Sequence, residues 1–332
     1  MIKKLAGLML FLLLVFLLVE MSYRAYVLGP VAFQPARLNS MTTLMRSEYV
    51  QLSQYPDIFF ELKPNMHGWY KGLRFWTNSH GNADREYNLV KPPDTYRIAV
   101  TGSSWEMPSG VEPDKAWHAL IEDSLTSGAD APVFEVINFG VEMYGLREIL
   151  GTIRHKVLEW DPDLILVAVT PYTMSLIWEP DDAPQALPAR AYPALDSYAY
   201  LAAQKLLGFK GDPPANDRKR FADDAEAPEK AEQLQRAIRE LGEIRARAGV
   251  PVVIVFLGFY PLPDSFRADI SKHVQQAGVS AIFADGIFPQ DFRAMERYQV
   301  SLFDRHPNEA GHALIAEYLR NELLKRELVS IR

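Results

Sequence analysis

The chain has no cysteine. That excludes a disulfide framework, a thiolate zinc site, an iron–sulfur cluster and a cysteine nucleophile. It leaves the redox compartment unread, because secreted proteins also do without cysteine. The chain also lacks a long basic block and any stripe of arginine interleaved with aromatics. Its 42 acidic against 35 basic residues give a formal charge of −7, and no nucleic-acid surface is expected. Histidines and acids do not recur at ligand spacing on one element, so neither a metal nor a cofactor is expected. No internal repeat is visible. What is present is apolar surface: 48% hydrophobic residues with 17 Phe, 15 Tyr and 6 Trp among 332. This supports a substantial core and rules out wholesale disorder. The length allows one large domain with an appendage or two compact domains.

Location is read from the first thirty residues. After Lys3 and Lys4, the run Leu5 to Val19 is apolar or small throughout, short of the roughly 18 residues that mark a spanning helix unaided. The flanks extend it. Glu20 and Arg24 stand four apart and can pair on one helix face, while Tyr23 and Tyr26 suit a membrane boundary. Leu5 through Leu28 as one helix is about 36 Å long, enough to span with tilt. No Ala-x-Ala precedes Pro30, which favours an uncleaved signal anchor over a cleaved signal peptide. A buried core helix does not fit a segment that is apolar all round. With the lysines inside, the main domain lies on the far side of the membrane, in the periplasm if the cell is Gram-negative.

The organisation expected is an anchor at 1–29, a lead-in at 30–94 and an α/β domain at 95–332 carrying an insertion at 179–229. The lead-in shows short strand-like pieces and turn signals at Lys63-Pro64-Asn65 and His80-Gly81-Asn82. From Tyr96 a strand–turn–helix unit repeats. Strands are predicted at Arg97–Thr101, Phe134–Asn138, Leu164–Thr170, Val252–Leu257 and Ala281–Ala284. Helices are predicted at Asp114–Leu125, Leu146–Trp160, Ala231–Ala248, Ile270–Gln276 and Asn308–Leu324. The near-continuous apolar strands imply burial on both faces, hence a three-layer α/β sandwich: a parallel sheet flanked by helices, flavodoxin-like in class. The insertion is rich in proline and balanced charge, as in Glu179-Pro180-Asp181-Asp182 and Asp217-Arg218-Lys219-Arg220, with a short helix candidate at Tyr198–Leu207. It leaves the carboxyl end of a strand, where it overhangs a site or forms a solvated loop.

Three places carry chemistry. In an open parallel sheet, ligands gather at the carboxyl ends of the strands. Ser104, in Thr101-Gly102-Ser103-Ser104-Trp105, follows the first core strand, so its hydroxyl can be presented in the crevice while its N–H faces an oxyanion. A serine needs a base. Phe303-Asp304-Arg305-His306-Pro307-Asn308 precedes the last helix, and its spacing lets Asp304 fix the tautomer in which His306 accepts a proton from Ser104. Gly140, in Asn138-Phe139-Gly140-Val141, allows close backbone approach and is a candidate second oxyanion donor. Singly, such a serine is also a common N-cap, and Asp-x-His a common solvated cap.

In this order the three blocks resemble the SGNH/GDSL hydrolase family. Arg97 to Val111 resembles its first block with Ser104 as nucleophile. Val136 to Gly145 resembles its second, with Gly140 at the oxyanion glycine, and Asp304 to His312 its last, with His306 as base. Thr77-Asn78-Ser79-His80-Gly81 is similar to the lead-in of bacterial members. The likeness spans Tyr96 to Leu324 apart from the insertion. Three departures stand out. Ser103 replaces the family's Asp. Thr170-Pro171-Tyr172-Thr173 replaces its Gly-Asn-Asp block, leaving the hydroxyls of Thr170, Tyr172 or Thr173 to substitute for the Asn amide. Asp304 lies two residues before His306 rather than three.

The resemblance implies a membrane-tethered, extracytoplasmic serine esterase acting on acyl esters, with acetyl esters of a cell-surface glycan as the expected class. A polysaccharide O-acyltransferase of the same fold is the alternative it carries. The competing class is an inactive SGNH-like module that binds a glycan or a membrane protein. His312 and His118 are read as packing or capping residues, Glu106 and Glu142 as loop acids flanking the site, and Trp105 and Trp178 as core or rim aromatics.

Overall fold

A computed structural model describes residues 2–127, 133–175, 186–191, 197–200, 227–300 and 304–329. The chain opens with helix α1 (Ile2–Leu28), whose side chains from Leu5 to Val19 are exposed. Its segment Lys3–Tyr26 is long and apolar enough to cross a membrane. A 3-10 turn (Gly29–Phe33) and the short helix α2 (Pro35–Asn39) lead into two antiparallel strand pairs. These are β1 (Val50–Leu52) with β2 (Phe60–Leu62), and β3 (His67–Tyr70) with β4 (Leu73–Trp76).

The core sheet follows: β5 (Thr95–Thr101), β6 (Val133–Asn138), β7 (Leu164–Val169), β8 (Val252–Leu257) and β9 (Ser280–Ala284). All of its pairings are parallel, in the order β6-β5-β7-β8-β9. This is a flavodoxin-type order, and the connection from β6 crosses β5 to reach β7, so the loops after β5 and β7 flank the topological switch point. The helices between and after these strands are α3 (Trp117–Thr126), α4 (Leu146–His155), α5 (Pro171–Ser175), α6 (Pro228–Ala248), α7 (Asp264–Gln276), α8 (Phe292–Met295) and α9 (Glu309–Lys325).

Successive strand residues point to opposite faces, and each face has its own apolar layer. Ala99, Ile137, Ile165, Val167, Ile254 and Phe256 pack against α4, α6 and α7, and against the lead-in residues Tyr49, Ile58, Phe60 and Phe75. Ile98, Val100, Val136, Leu166, Val253 and Val255 pack against Trp117 and Ile121 of α3 and Ile315 and Leu319 of α9. One charge is sealed between lead-in and sheet. The fully buried Arg97 guanidinium donates to Glu135 Oε2 (2.7 Å) and to the carbonyls of Asn88, Leu89 and Trp160. A buried cation is tolerated when its donors are used in this way.

Several predicted helix bounds shift: the one expected at Asp114 starts at Trp117 after a 3-10 turn (Pro113–Lys115), and the one expected at Ala231 starts at Pro228. The helix expected from Leu146 to Trp160 ends at His155 and resumes as a 3-10 turn, Val157–Trp160. The tighter turn stacks residues three apart, which lets both Val157 and Trp160 bury their side chains. The helix expected at Ile270 begins six residues earlier, at Asp264, directly after Pro263. In the insertion, residues 198–200 are helical. The rest of the Tyr198–Leu207 candidate, Trp178 and the proline- and charge-rich stretches at 179–182 and 217–220 lie outside the described residues.

Candidate active site

Ser104 leaves β5 in a single tight turn: the amide of Met107 donates to Ser103 O (3.0 Å), and that of Ser109 to Ser104 O (2.9 Å). The loop after β6 runs alongside, with Phe139 N donating to Val100 O and Val141 N to Gly102 O. Ser104 is buried, and no described residue hydrogen-bonds its hydroxyl or its N–H.

The segment holding His306 crosses this turn. Gly110 has φ +135°, and a Cβ there would lie 2.5 Å from Val300 Cγ2 and 3.4 Å from Cβ of His306. Only glycine permits both the backbone conformation and the contact. Asn308 pins the far side of the loop. Its amide group donates to Arg297 O and Gln299 O, and its Oδ1 accepts from Gly311 N to cap α9. The structure thus brings Gly110, at the end of the Ser104 turn, against Val300 and His306, without closing a hydrogen bond between Ser104 and His306. Catalytic hydrogen bonds often tighten only once substrate is bound.

Asp304 and His306 pair directly. One carboxylate oxygen bonds Nδ1 of the ring and also accepts the His306 backbone N–H at 3.1 Å. With Nδ1 engaged, Nε2 is the nitrogen left to accept a proton. Burial pushes the Asp304 pKa upward. The His306 hydrogen bonds and charge, together with Lys71, more than offset this and hold it at about 2. Lys71 lies 3.8 Å from Asp304 and 3.3 Å from Glu142, joining the two carboxylates through one ammonium. Glu142 also accepts from the Tyr70 hydroxyl at 2.6 Å and from the Ser109 hydroxyl. Burial and the neighbouring Glu142 charge push the Tyr70 phenol well above its ordinary pKa, so it stays a donor. Beyond this cluster opens a cleft of about 530 Å³, lined by Met41, Thr42, Thr43, Arg46, Lys71, Glu142, Ala191 and Asp304.

The proposed oxyanion donors fare differently. Gly140 N–H is already donated to Asn138 Oδ1 (2.8 Å), within a loop that Asn138 also fastens to Glu106 O. A Cβ on Gly140 would lie 2.3 Å from Glu106 Cβ, so glycine is required there by packing alone. The hydroxyls of Thr170 and Thr173 bond each other at 2.9 Å, and each also accepts the other's backbone N–H. This is a reciprocal cap on α5, in which one of the two hydroxyl protons is donated and both oxygens accept. Tyr172 is half exposed, and burial together with the Glu142 charge raises its pKa. Its phenol therefore stays protonated.

Beneath the turn lies a second polar cluster. Glu106 is fully buried and accepts Ser103 N–H at 2.8 Å, and burial lifts its pKa to about 8. Burial likewise lifts Asp84 to about 8 and drops His118 and His312 to about 3. His312 Nδ1 accepts Trp117 N–H at 3.1 Å, which caps α3. Trp105 packs on Phe259 and Phe288 as a core residue. Among the described residues, no cluster of three or more His, Asp or Glu side chains suits a metal ion.

Sequence reasoning missed Tyr70, Lys71 and Ser109 and undervalued Glu142. The signal for the first two was the alternating run Trp69-Tyr70-Lys71-Gly72-Leu73. Lys71 and Gly72 both take positive φ (47° and 78°), with Tyr70 opposite Leu73, the geometry of a two-residue type I′ hairpin.

No family model matches the chain, and no curated protein matches it. Solved structures do resemble it. A psychrotrophic esterase from Pseudoalteromonas sp. is 12% identical, with 70% of this chain and 99% of that one covered and a TM-score of 0.43. A putative lipolytic protein of the G-D-S-L family from Desulfitobacterium hafniense is 12% identical, covering 68% and 98%, TM-score 0.40. An acetylxylan esterase from Geobacillus stearothermophilus is 13% identical, covering 69% and 94%, TM-score 0.42.

Proposed function

We propose that the chain is a membrane-anchored, extracytoplasmic serine ester hydrolase of SGNH type, acting on acyl esters, with acetyl esters of a surface glycan as the expected class. The observation that carries this reading is the Asp304–His306 pair together with the packing of His306 against Gly110, which ends the Ser104 turn. Asp304 holds Nδ1 of the ring. His306 Nε2 takes the Ser104 proton as Oγ attacks the acyl carbonyl, and then returns it to the departing alcohol. The unclaimed N–H of Ser104 receives the oxyanion first. Gly140 N–H joins it by turning from Asn138. Water then resolves the acyl-enzyme by the same base. An alcohol entering through the cleft in place of water makes the same intermediate an O-acyltransferase.

The test is acyl-enzyme formation on full-length protein. Wild type should label with a fluorophosphonate and turn over an aryl acetate, and Ser104→Ala and His306→Ala should each lose turnover by about a thousandfold or more. Robust labelling of Ser104→Ala would refute the nucleophile. Glycan binding without turnover in wild type would make the fold a binding module.

A further inference from the structure

The insertion touches the anchor. Glu20, in the last third of α1, is only 5% exposed although residues 5–19 before it and Met21 and Ser22 after it are exposed. Besides Arg24 (2.6 Å), its carboxylate accepts the Ser197 hydroxyl (2.9 Å) and the backbone N–H groups of Tyr198 and Ala199 (both 2.8 Å). Arg24 stands over the Tyr198 ring at 5.2 Å. Three residues, 177 to 179 positions downstream, are thus bonded to the anchor through one hydroxyl and two backbone N–H groups.

The level of this contact is set by helix arithmetic. A hydrocarbon core about 30 Å thick takes about 20 helical residues, so counted from Lys4 it ends near Arg24. Glu20 and the segment at 197–200 therefore sit at the outer boundary, where an unpaired carboxylate or unused N–H would be costly. Here each serves the other. On the outer side of Met21, over residues 22–40 and at 197–200, the exposed large apolar side chains are aromatic: Tyr26 at 86%, Phe33 at 62% and Tyr200 at 62%. This is the composition of a membrane-interface belt, shared between anchor and insertion.

The cleft is fastened to the same level. Ala191 on its wall donates to Arg46 O and precedes Ser197 by six residues, a reach of at most about 20 Å. On the opposite wall, the Lys71-Gly72 turn is held by Arg37, whose guanidinium donates twice to Gly72 O, and by Ser40, whose hydroxyl accepts Gly72 N–H. A Cβ on Gly72 would lie 3.6 Å from Val31, three residues past the anchor.

We infer that residues 197–200 form a second membrane contact, docked on the anchor through Glu20, and that this collar holds the cleft at the lipid surface. The ester is then presented from the membrane rather than from free solution. This substrate claim rests on the hydrolase reading; the collar itself does not.

The absence of cysteine makes the test clean. Full-length Tyr200→Cys, labelled with an environment-sensitive fluorophore and reconstituted in phosphatidylcholine–phosphatidylglycerol vesicles, should be quenched by interface-level spin-labelled lipid. A label at Glu243→Cys on α6 serves as the reference. Equal quenching at the two sites overturns the collar. Adding Glu20→Ala should release the quenching at position 200, and unchanged quenching overturns the docking. For turnover, Glu20→Ala should leave hydrolysis of soluble 4-methylumbelliferyl acetate unchanged. It should lower hydrolysis of vesicle-held 4-methylumbelliferyl palmitate by about tenfold, the effect of losing local concentration at the surface. A parallel fall on both esters, or no fall on either, overturns membrane presentation. Should wild type hydrolyse neither ester, the hydrolase reading fails while the quenching result still decides the collar.

Discussion

Two clusters of carboxylates and imidazoles flank the Ser104 turn, one lining the cleft and one sealed beneath it. In the cleft, Asp304 has a ring nitrogen and an ammonium for partners and stays ionised down to about pH 2. Beneath the turn, Glu106 and Asp84 lack a cation close enough to offset burial, and they hold their protons to about pH 8. The histidines divide in the same way. His306 reaches solvent with a carboxylate on Nδ1, whereas His118 and His312 are fully buried and remain neutral to about pH 3. Residue type alone therefore does not mark the reactive group. Access to a partner charge and to solvent does.

Asp304→Asn breaks the cleft side of this contrast most severely. The ring loses the acceptor that fixes its tautomer, and kcat/KM for an aryl acetate should fall by about 10³ to 10⁴. An unchanged rate would remove Asp304 from the proton path. Lys71→Met leaves two carboxylates facing each other without the ammonium between them. A charge within 4 Å is worth a few kcal/mol at an effective dielectric near 20, so a loss of about tenfold and a raised Asp304 pKa, read by NMR titration, are expected.

The sealed cluster should show itself in stability against pH rather than in rate. Glu106 and Asp84 bind protons more tightly folded than unfolded, so their contribution is complete below about pH 4 and lost as pH rises toward 8. His118 and His312 act oppositely. Their contribution is complete above about 6.5 and lost as pH falls toward 3. The two trends offset one another near pH 5 to 6, giving a plateau in Tm that falls away on both sides. Glu106→Gln replaces a neutral acid with a neutral amide. At pH 6 it should leave Tm and turnover nearly unchanged while flattening the alkaline limb, and a large loss of rate at pH 6 would show that the ionised form matters. Thr173→Ala has the smallest expected effect, about 1 kcal/mol of stability for a lost cap with turnover within about twofold of wild type. A hundredfold loss would make that hydroxyl an oxyanion donor after all.

The core sheet was legible because its strands are continuous apolar runs and its helices are periodic. Val252–Leu257 matches residue for residue, and Asn308 caps the last helix one position before its start. The Asp304–His306 contact was legible because two residues apart is a local distance. What escaped was non-local. Lys71 reaches Asp304 across more than two hundred residues because a hairpin aims it there, and Tyr70 reaches Glu142 by the same route. Gly140 was read for closeness to a ligand, whereas the neighbour that forbids a side chain there is Glu106. Thr170 and Thr173 carry hydroxyls whose spacing of three is also that of a cap, and the structure pairs them as one.

The hairpin bearing Lys71 is stapled to Arg37 and Ser40, well upstream of the first strand of the sheet. A truncated fragment cut at Thr95, where the repeating units begin, would keep the serine and the histidine but lose the ammonium, the phenol and one bank of the groove. Cutting just after Leu28 retains all of them, so water-soluble fragments for assay or crystallisation should begin there.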